Sequence, residues 1–243
     1  MNLVKVLAVL FFMISATPSS LAEEAKVDAK TVVDAEQEQV DRLIQAQKLI
    51  ASGKQVEAIA LIDQTLAYYE KKFPVGETRW YVARTTQETL FYMVQSAALA
   101  DSGKSKKNAS ALTVAWANAY FLKGYAYVEL NQANEAKSAL KQALELSPQN
   151  ARYLIELAEA AKLERNWDES FGYYKEAESA SAFSPADEKA SDLSHSKRGQ
   201  AFVFIEQGKF DEAEKMLKEC LKLDADDQRA KEELEYIQSL RKK

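Results

Sequence analysis

Ala117–Asn150 reads ANAYFLKGYAYVELNQANEAKSALKQALELSPQN, two apolar-periodic runs around a polar turn. With Ala117 as position 1, Tyr120 stands at 4, Gly124 at 8, Tyr127 at 11, Ala136 at 20, Leu140 at 24, Ala143 at 27 and Pro148 at 32. A glycine inside a helical run costs about 1 kcal/mol relative to alanine. That cost is tolerable if the missing side chain lets a second helix approach closely, and Ala136, Ala139 and Ala143 are the matching small residues on the second run. Tyr120, Tyr127, Leu140 and Leu144 then fill the space around the crossing. Asn131–Asn134 supplies a polar turn, and Pro148 ends the second helix. One such pair cannot bury its own apolar face, so neighbours are required.

Large residue, small residue and helix breaker fall where a tetratricopeptide repeat places them, and the segment resembles the helix–turn–helix of that family. The register recurs. Starting from Gln39, Ala46 falls at 8, Leu49 at 11, Gly53 at 15, Ala58 at 20 and Ile62 at 24, giving a unit over 39–72. The unit 151–184 places Leu154, Leu157, Ala158, Ala161, Trp167, Tyr174 and Ala177 in register, with Ser170 where alanine is usual. The unit 194–227 places Ala201, Phe204, Gly208, Phe210, Ala213 and Leu217. Its first helix is expected to start early, near Ser184-Pro185, and residues 228–243 close the stack with Leu234, Ile237 and Leu240 on one side. The resemblance implies an all-α fold: a right-handed superhelical solenoid of antiparallel helix pairs, with a C-terminal capping helix, over 37–243.

Residues 73–110 break the period. Phe73-Pro74-Val75-Gly76 reads as a loop, and Arg79–Asp101 as one long helix with Trp80, Ala83, Leu90, Val94 and Ala97 on its apolar stripe. This segment is either a divergent repeat or an inserted helix. A further helix is expected from about Ala109 straight into the 117–150 unit. No window shows sustained period-2 alternation, so essentially no strand is expected.

Residues 1–22 have the features of a secretory signal: Lys5, the apolar core VLAVLFFMI at Val6–Ile14, and Ser20-Leu21-Ala22 before Glu23-Glu24. The apolar run is shorter than the roughly 20 residues of a membrane span. Export to the bacterial periplasm is the expectation, secretion otherwise, with no stable membrane insertion after cleavage. Residues 23–36, rich in Ala, Glu and Asp without an apolar period, are expected to be a flexible leader.

Without Lys5 the remaining chain keeps all 37 acidic residues and a net charge of −6, which disfavours nucleic acid as a partner. Lys104, Lys106 and Lys107 form the one basic loop cluster and read as a solvated turn. Cys220, the sole cysteine, falls at position 27 and reads as a small buried residue. His195 lies beside Ser191 and Asp192, but no oxyanion hole or rigid nucleophile turn accompanies them. Asp224, Asp226 and Glu235 have calcium-loop spacing, yet Arg229 occupies the position that needs glycine. No catalytic residue, metal site or cofactor is therefore expected. A module built around His195 or Asp224 is the alternative reading, as is a purely structural, self-associating stack.

The resemblance further implies that positions 2, 5, 9, 12 and 13 of the first helices line a concave groove. They are Asn118, Phe121, Tyr125, Val128 and Glu129 in one unit, and Arg152, Ile155, Glu159, Lys162 and Leu163 in the next. The last unit adds His195, Arg198, Phe202, Ile205 and Glu206. Aromatics with a few charges suit an apolar peptide or helix, unless Phe121 and Tyr125 pack on the 79–101 helix instead. The expected function is a protein-binding adaptor or scaffold, in cell-envelope assembly or maturation, with a homo-oligomer possible. The lysine/asparagine pattern by which some members grip a terminal carboxylate is absent.

Overall fold

The computed structural model describes residues 18–105 and 107–242. The chain divides into two units, 1–38 and 39–243. Most of the expected signal segment, residues 1–17, lies outside the described residues. Helix α1 runs Pro18–Ala51, so the stretch 23–36, expected to be a flexible leader, is helical.

The second unit is a stack of helix pairs. The C-terminal part of α1 pairs with α2 (Gln55–Lys72), α4 (Trp116–Glu129) with α5 (Ala133–Leu146), α6 (Ala151–Leu163) with α7 (Trp167–Ala180), and α8 (Lys189–Glu206) with α9 (Phe210–Leu223). Helix α10 (Gln228–Arg241) covers the last pair. The interlocking small residues are where the repeat register puts them: Ala58, Ala136, Ala143, Ala158, Ala177, Ala201 and Ala213 are completely buried. Tyr127 is half-buried against the Ala136–Leu140 face of α5. A methyl group on Gly124 would lie 2.5 Å from Leu140 Cγ, so the bare glycine is what permits the α4–α5 crossing. Each turn between paired helices contains one residue with positive φ, always at position 15: Gly53 (77°), Asn131 (58°), Arg165 (55°) and Gly208 (73°). This left-handed residue lets a short turn reverse the chain, and Arg165 adopts it without glycine's freedom.

Direct contacts exist between α4 and α6 and between α6 and α8, whereas the second helices of adjacent units, α5 with α7 and α7 with α9, make at most marginal contact. A layer whose members lie closer together is the inside of a curve. The first helices therefore line the concave face.

Residues 73–110 depart from expectation. Thr78–Val82 is strand β1, Thr86–Asp101 is helix α3, and Asn108–Leu112 is strand β2, parallel to β1 with Thr78 opposite Asn108. The long helix expected from Arg79 begins instead at Thr86, and the helix expected from Ala109 begins at Trp116. Thr85 caps α3 by accepting from Glu88 N (3.1 Å), and the buried Glu88 carboxylate accepts from Arg84 N (2.6 Å), a variant of the capping box. A parallel pair needs a crossover, which α3 provides. Its buried side is Tyr92, stacked on Tyr81 at 5.0 Å, while Leu90 and Val94 of the expected stripe are 65% and 61% exposed. The β–α–β segment does not interrupt the stack. Helix α2 packs directly on α4 through Tyr69 and Phe73, both stacked on Trp116.

Ser184-Pro185 does not start α8 either. Ser184 ends a 3-10 turn over Ser181–Phe183, and α8 begins at Lys189.

Candidate functional site

The concave face opens a pocket of about 570 Å³ between α1, α4 and α6. Its walls include Ile50, Phe121, Tyr125, Glu129 and Glu156. Phe121 stacks on Tyr125 (6.5 Å) and on Tyr153 (5.0 Å), which fixes both rings on the inner wall. These aromatics belong with the core residues of α1, α2 and α4, whereas α3 contributes to a separate cluster with Tyr81, Ala83 and Ala109.

Glu156 was absent from the expected set, and it is the most perturbed carboxylate of the pocket. Burial, then repulsion from Glu159 and Glu129, pushes its pKa up to about 8, against a smaller opposing pull from Lys162. Glu159 is occupied differently. It accepts a hydrogen bond from the buried Tyr174 hydroxyl and pairs with Lys162 at 2.9 Å. Lys162 Nζ in turn sits 4.0 Å from the Phe202 ring centroid, and Phe202 meets Trp167 edge-on at 6.0 Å. The inner face thus runs from an apolar, acidic pocket at Tyr125 to a cation–π pair at Lys162 and Phe202. Further along, burial and Arg198 lower the His195 pKa, and burial raises that of Glu233 to about 7.

Other expected groove residues are committed elsewhere. Ile155 is 2% exposed and packs in one core cluster with Leu154, Ala158, Tyr174 of α7 and Val203 of α8. Arg198 hydrogen-bonds Ser194 (2.9 Å) and pairs with the Asp227 carboxylate, which also caps α10. Arg152, at the start of α6, reaches Asp192 (3.3 Å) and Glu188 (3.5 Å) and so holds the α7–α8 connection. Val128 leans on the Ala136–Leu140 cluster. Asp192, the carboxylate nearest His195 in sequence, accepts from Ser184 Oγ at 2.6 Å and pairs with Arg152. Among the described residues no group of three or more His, Cys, Asp or Glu is arranged to hold a metal.

Residues 117–150 and 200–227 match the tetratricopeptide repeat family. Both segments are tetratricopeptide repeats. The matched segments are the α4–α5 pair and most of α8–α9. No curated protein sequence is similar enough to count as a relative. Among solved structures, a thermophilic tetratricopeptide repeat protein of Thermus thermophilus is similar at 17% identity, covering 82% of this chain and 98% of its own, with a TM-score of 0.45. The first such domain of Spaghetti (RPAP3), solved bound to an HSP90 peptide, gives 16%, 52%, 94% and 0.45 in the same order. MamA gives 16%, 77%, 92% and 0.40.

Proposed function

We propose that this tetratricopeptide repeat protein is a non-catalytic adaptor that holds a segment of a protein partner, a peptide or a helix, against its concave face. The observation that supports this reading is the pocket walled by Phe121, Tyr125 and Glu156. Stacked rings present a rigid apolar wall at low entropic cost, Glu129 favours a partner that places a cation beside its apolar anchor, and Glu156, which holds its proton up to about pH 8, adds a hydrogen-bond donor. Lys162 and Phe202 extend the same face and suit a longer segment. The signal-like features of residues 1–22 support export, so the partner is sought in the cell envelope.

Isolation of complexes from cells expressing the tagged full chain tests the proposal. A Tyr125→Asp variant, which puts a charge against the ring wall without entering the core, should lose a partner that the wild-type chain retains. Identical sets of co-purifying proteins would overturn the docking site. Mass measurement of the exported chain should give an N-terminus at Glu23, and an intact Met1 would remove the export reading.

A further inference from the structure

The β–α–β segment builds a second pocket outside the concave face. Its volume is about 810 Å³, within the range typical of small-ligand sites. Four separate pieces of chain wall it: Val75, Thr78, Arg79 and Trp80 at the start of β1; Leu99, Lys104, Ser105 and Lys107 after α3; Trp116 at the start of α4; and the Gln142–Leu146 side of α5. Such a bowl, closed by segments on several sides, fits a compact molecule better than an extended chain, which needs a channel open at both ends.

The lining has two chemistries. Its floor is apolar: Trp116 is 6% exposed and Leu146 7%, with Trp80 half-buried beside them. At the rim stand Arg79, Lys104 and Lys107, contributed by β1 and by the far loop. Among the described residues, none of the three lies in an ion pair, although Arg79 rests 5.2 Å from the Tyr81 ring. Glu145 is the one carboxylate of the lining, so the pocket carries a cationic excess in a chain whose net charge is −5. The Trp116 indole N–H is directed at the Tyr120 hydroxyl, which itself donates to Glu70, so what Trp116 offers the pocket is its ring.

We propose that this pocket binds a compact organic anion, a carboxylate, phosphate or sulfonate joined to a flat apolar body. The acidic group meets Arg79, Lys104 and Lys107, and the apolar body lies on Trp80, Trp116 and Leu146. Glu145 admits a ligand bearing an N–H or O–H donor on that side. The basic loop is then a binding element and not only a solvated turn.

The test titrates the full chain with anilinonaphthalene sulfonate, reading its emission, and in parallel with the uncharged phenylnaphthylamine. The sulfonate should bind saturably at one site per chain and weaken as salt rises. Replacing Arg79, Lys104 and Lys107 together by Gln should cost about 10-fold or more in Kd, since charge-assisted contacts are the strong ones. These side chains are exposed, so the variant's circular dichroism and melting curve should match wild type. Unchanged sulfonate affinity in the triple variant, or equal affinity for the uncharged analogue, would overturn the proposal. It also falls if a glutamate-rich peptide binds with the same sensitivity to the triple substitution while the sulfonate does not, for the bowl would then be a peptide dock.

Discussion

Gly199 lies on α8 where it crosses α7. A Cβ added there would stand 2.2 to 2.4 Å from three ring atoms of Tyr174. That ring cannot yield easily. It is completely buried, and its hydroxyl is held by Glu159. Gly199→Ala must therefore push two helices apart or drive Tyr174 off its rotamer, at a cost of about 1–3 kcal/mol or more. Alanine's better helix propensity returns about 1 kcal/mol, so the larger steric cost should win. At Gly172, on α7, an added Cβ meets nothing within 4 Å. Only the propensity gain operates there. Gly124→Ala falls between, because the Leu140 side chain that it strikes at 2.5 Å is more adaptable than a ring. Urea denaturation of the three variants should then give opposite signs for one chemical change: Gly172→Ala more stable than wild type by about 0.5–1 kcal/mol, Gly124→Ala slightly less stable, and Gly199→Ala clearly less stable. For a chain of this size the last should lower Tm by several degrees, at roughly 2–4 °C per kcal/mol. A Gly199→Ala protein as stable as wild type would refute the close α7–α8 crossing.

Arg165→Gly should stabilise the fold by about 1 kcal/mol, because it relieves a left-handed residue that is not glycine; a loss on urea denaturation would show that the Arg165 side chain matters more than its backbone. Asp227→Ala should destabilise by about 2–4 kcal/mol, since it removes the α10 cap and leaves Arg198 without its carboxylate; thermal melting measures it, and a loss under about 0.5 kcal/mol would contradict the linked cap and ion pair. The Glu156 pKa, raised from 4.5 to about 8, means that the folded chain keeps a proton the unfolded chain releases. Its contribution to stability therefore falls as pH rises through that window. Glu156→Gln should match wild type near pH 5 and exceed it at pH 9 by at least about 1 kcal/mol, and parallel Tm–pH curves for the two proteins would contradict the buried carboxylate.

The repeat register was legible because its spacing carries the physics. Gly124, Ala136, Ala143 and Pro148 mark a close crossing and a helix end without any knowledge of neighbours. The same reading placed Gly53 and Gly208 at the turn positions where positive φ is found. The β–α–β segment was not legible by alternation. Its strands are short and only two, and β1 buries Tyr81 and Val82 in succession, so no period of two develops. A signal was present nonetheless. Thr85 and Glu88 have capping-box spacing and mark the start of α3, and TRWYV at 78–82 is rich in β-forming residues. On the first helices, Phe121 and Tyr125 line the pocket and Lys162 meets Phe202. Ile155 and Arg198 are claimed by packing and by pairing across helices that a linear sequence does not display. Glu156 was missed since its position is not among those expected to face inward. The pocket is made by α1, α4 and α6 together, and no single repeat shows it.

The central claim is that the aromatic wall at Tyr125 receives a partner protein. A photo-crosslinking amino acid at Tyr125, in living cells, reports this directly when compared with the same group at Lys141, exposed on the outer helix α5. The adaptor reading predicts a discrete crosslinked partner from Tyr125 and none from Lys141. Crosslinks from Tyr125 only within the protein's own chain, or to nothing, would mean that the wall is part of the core, and would contradict it.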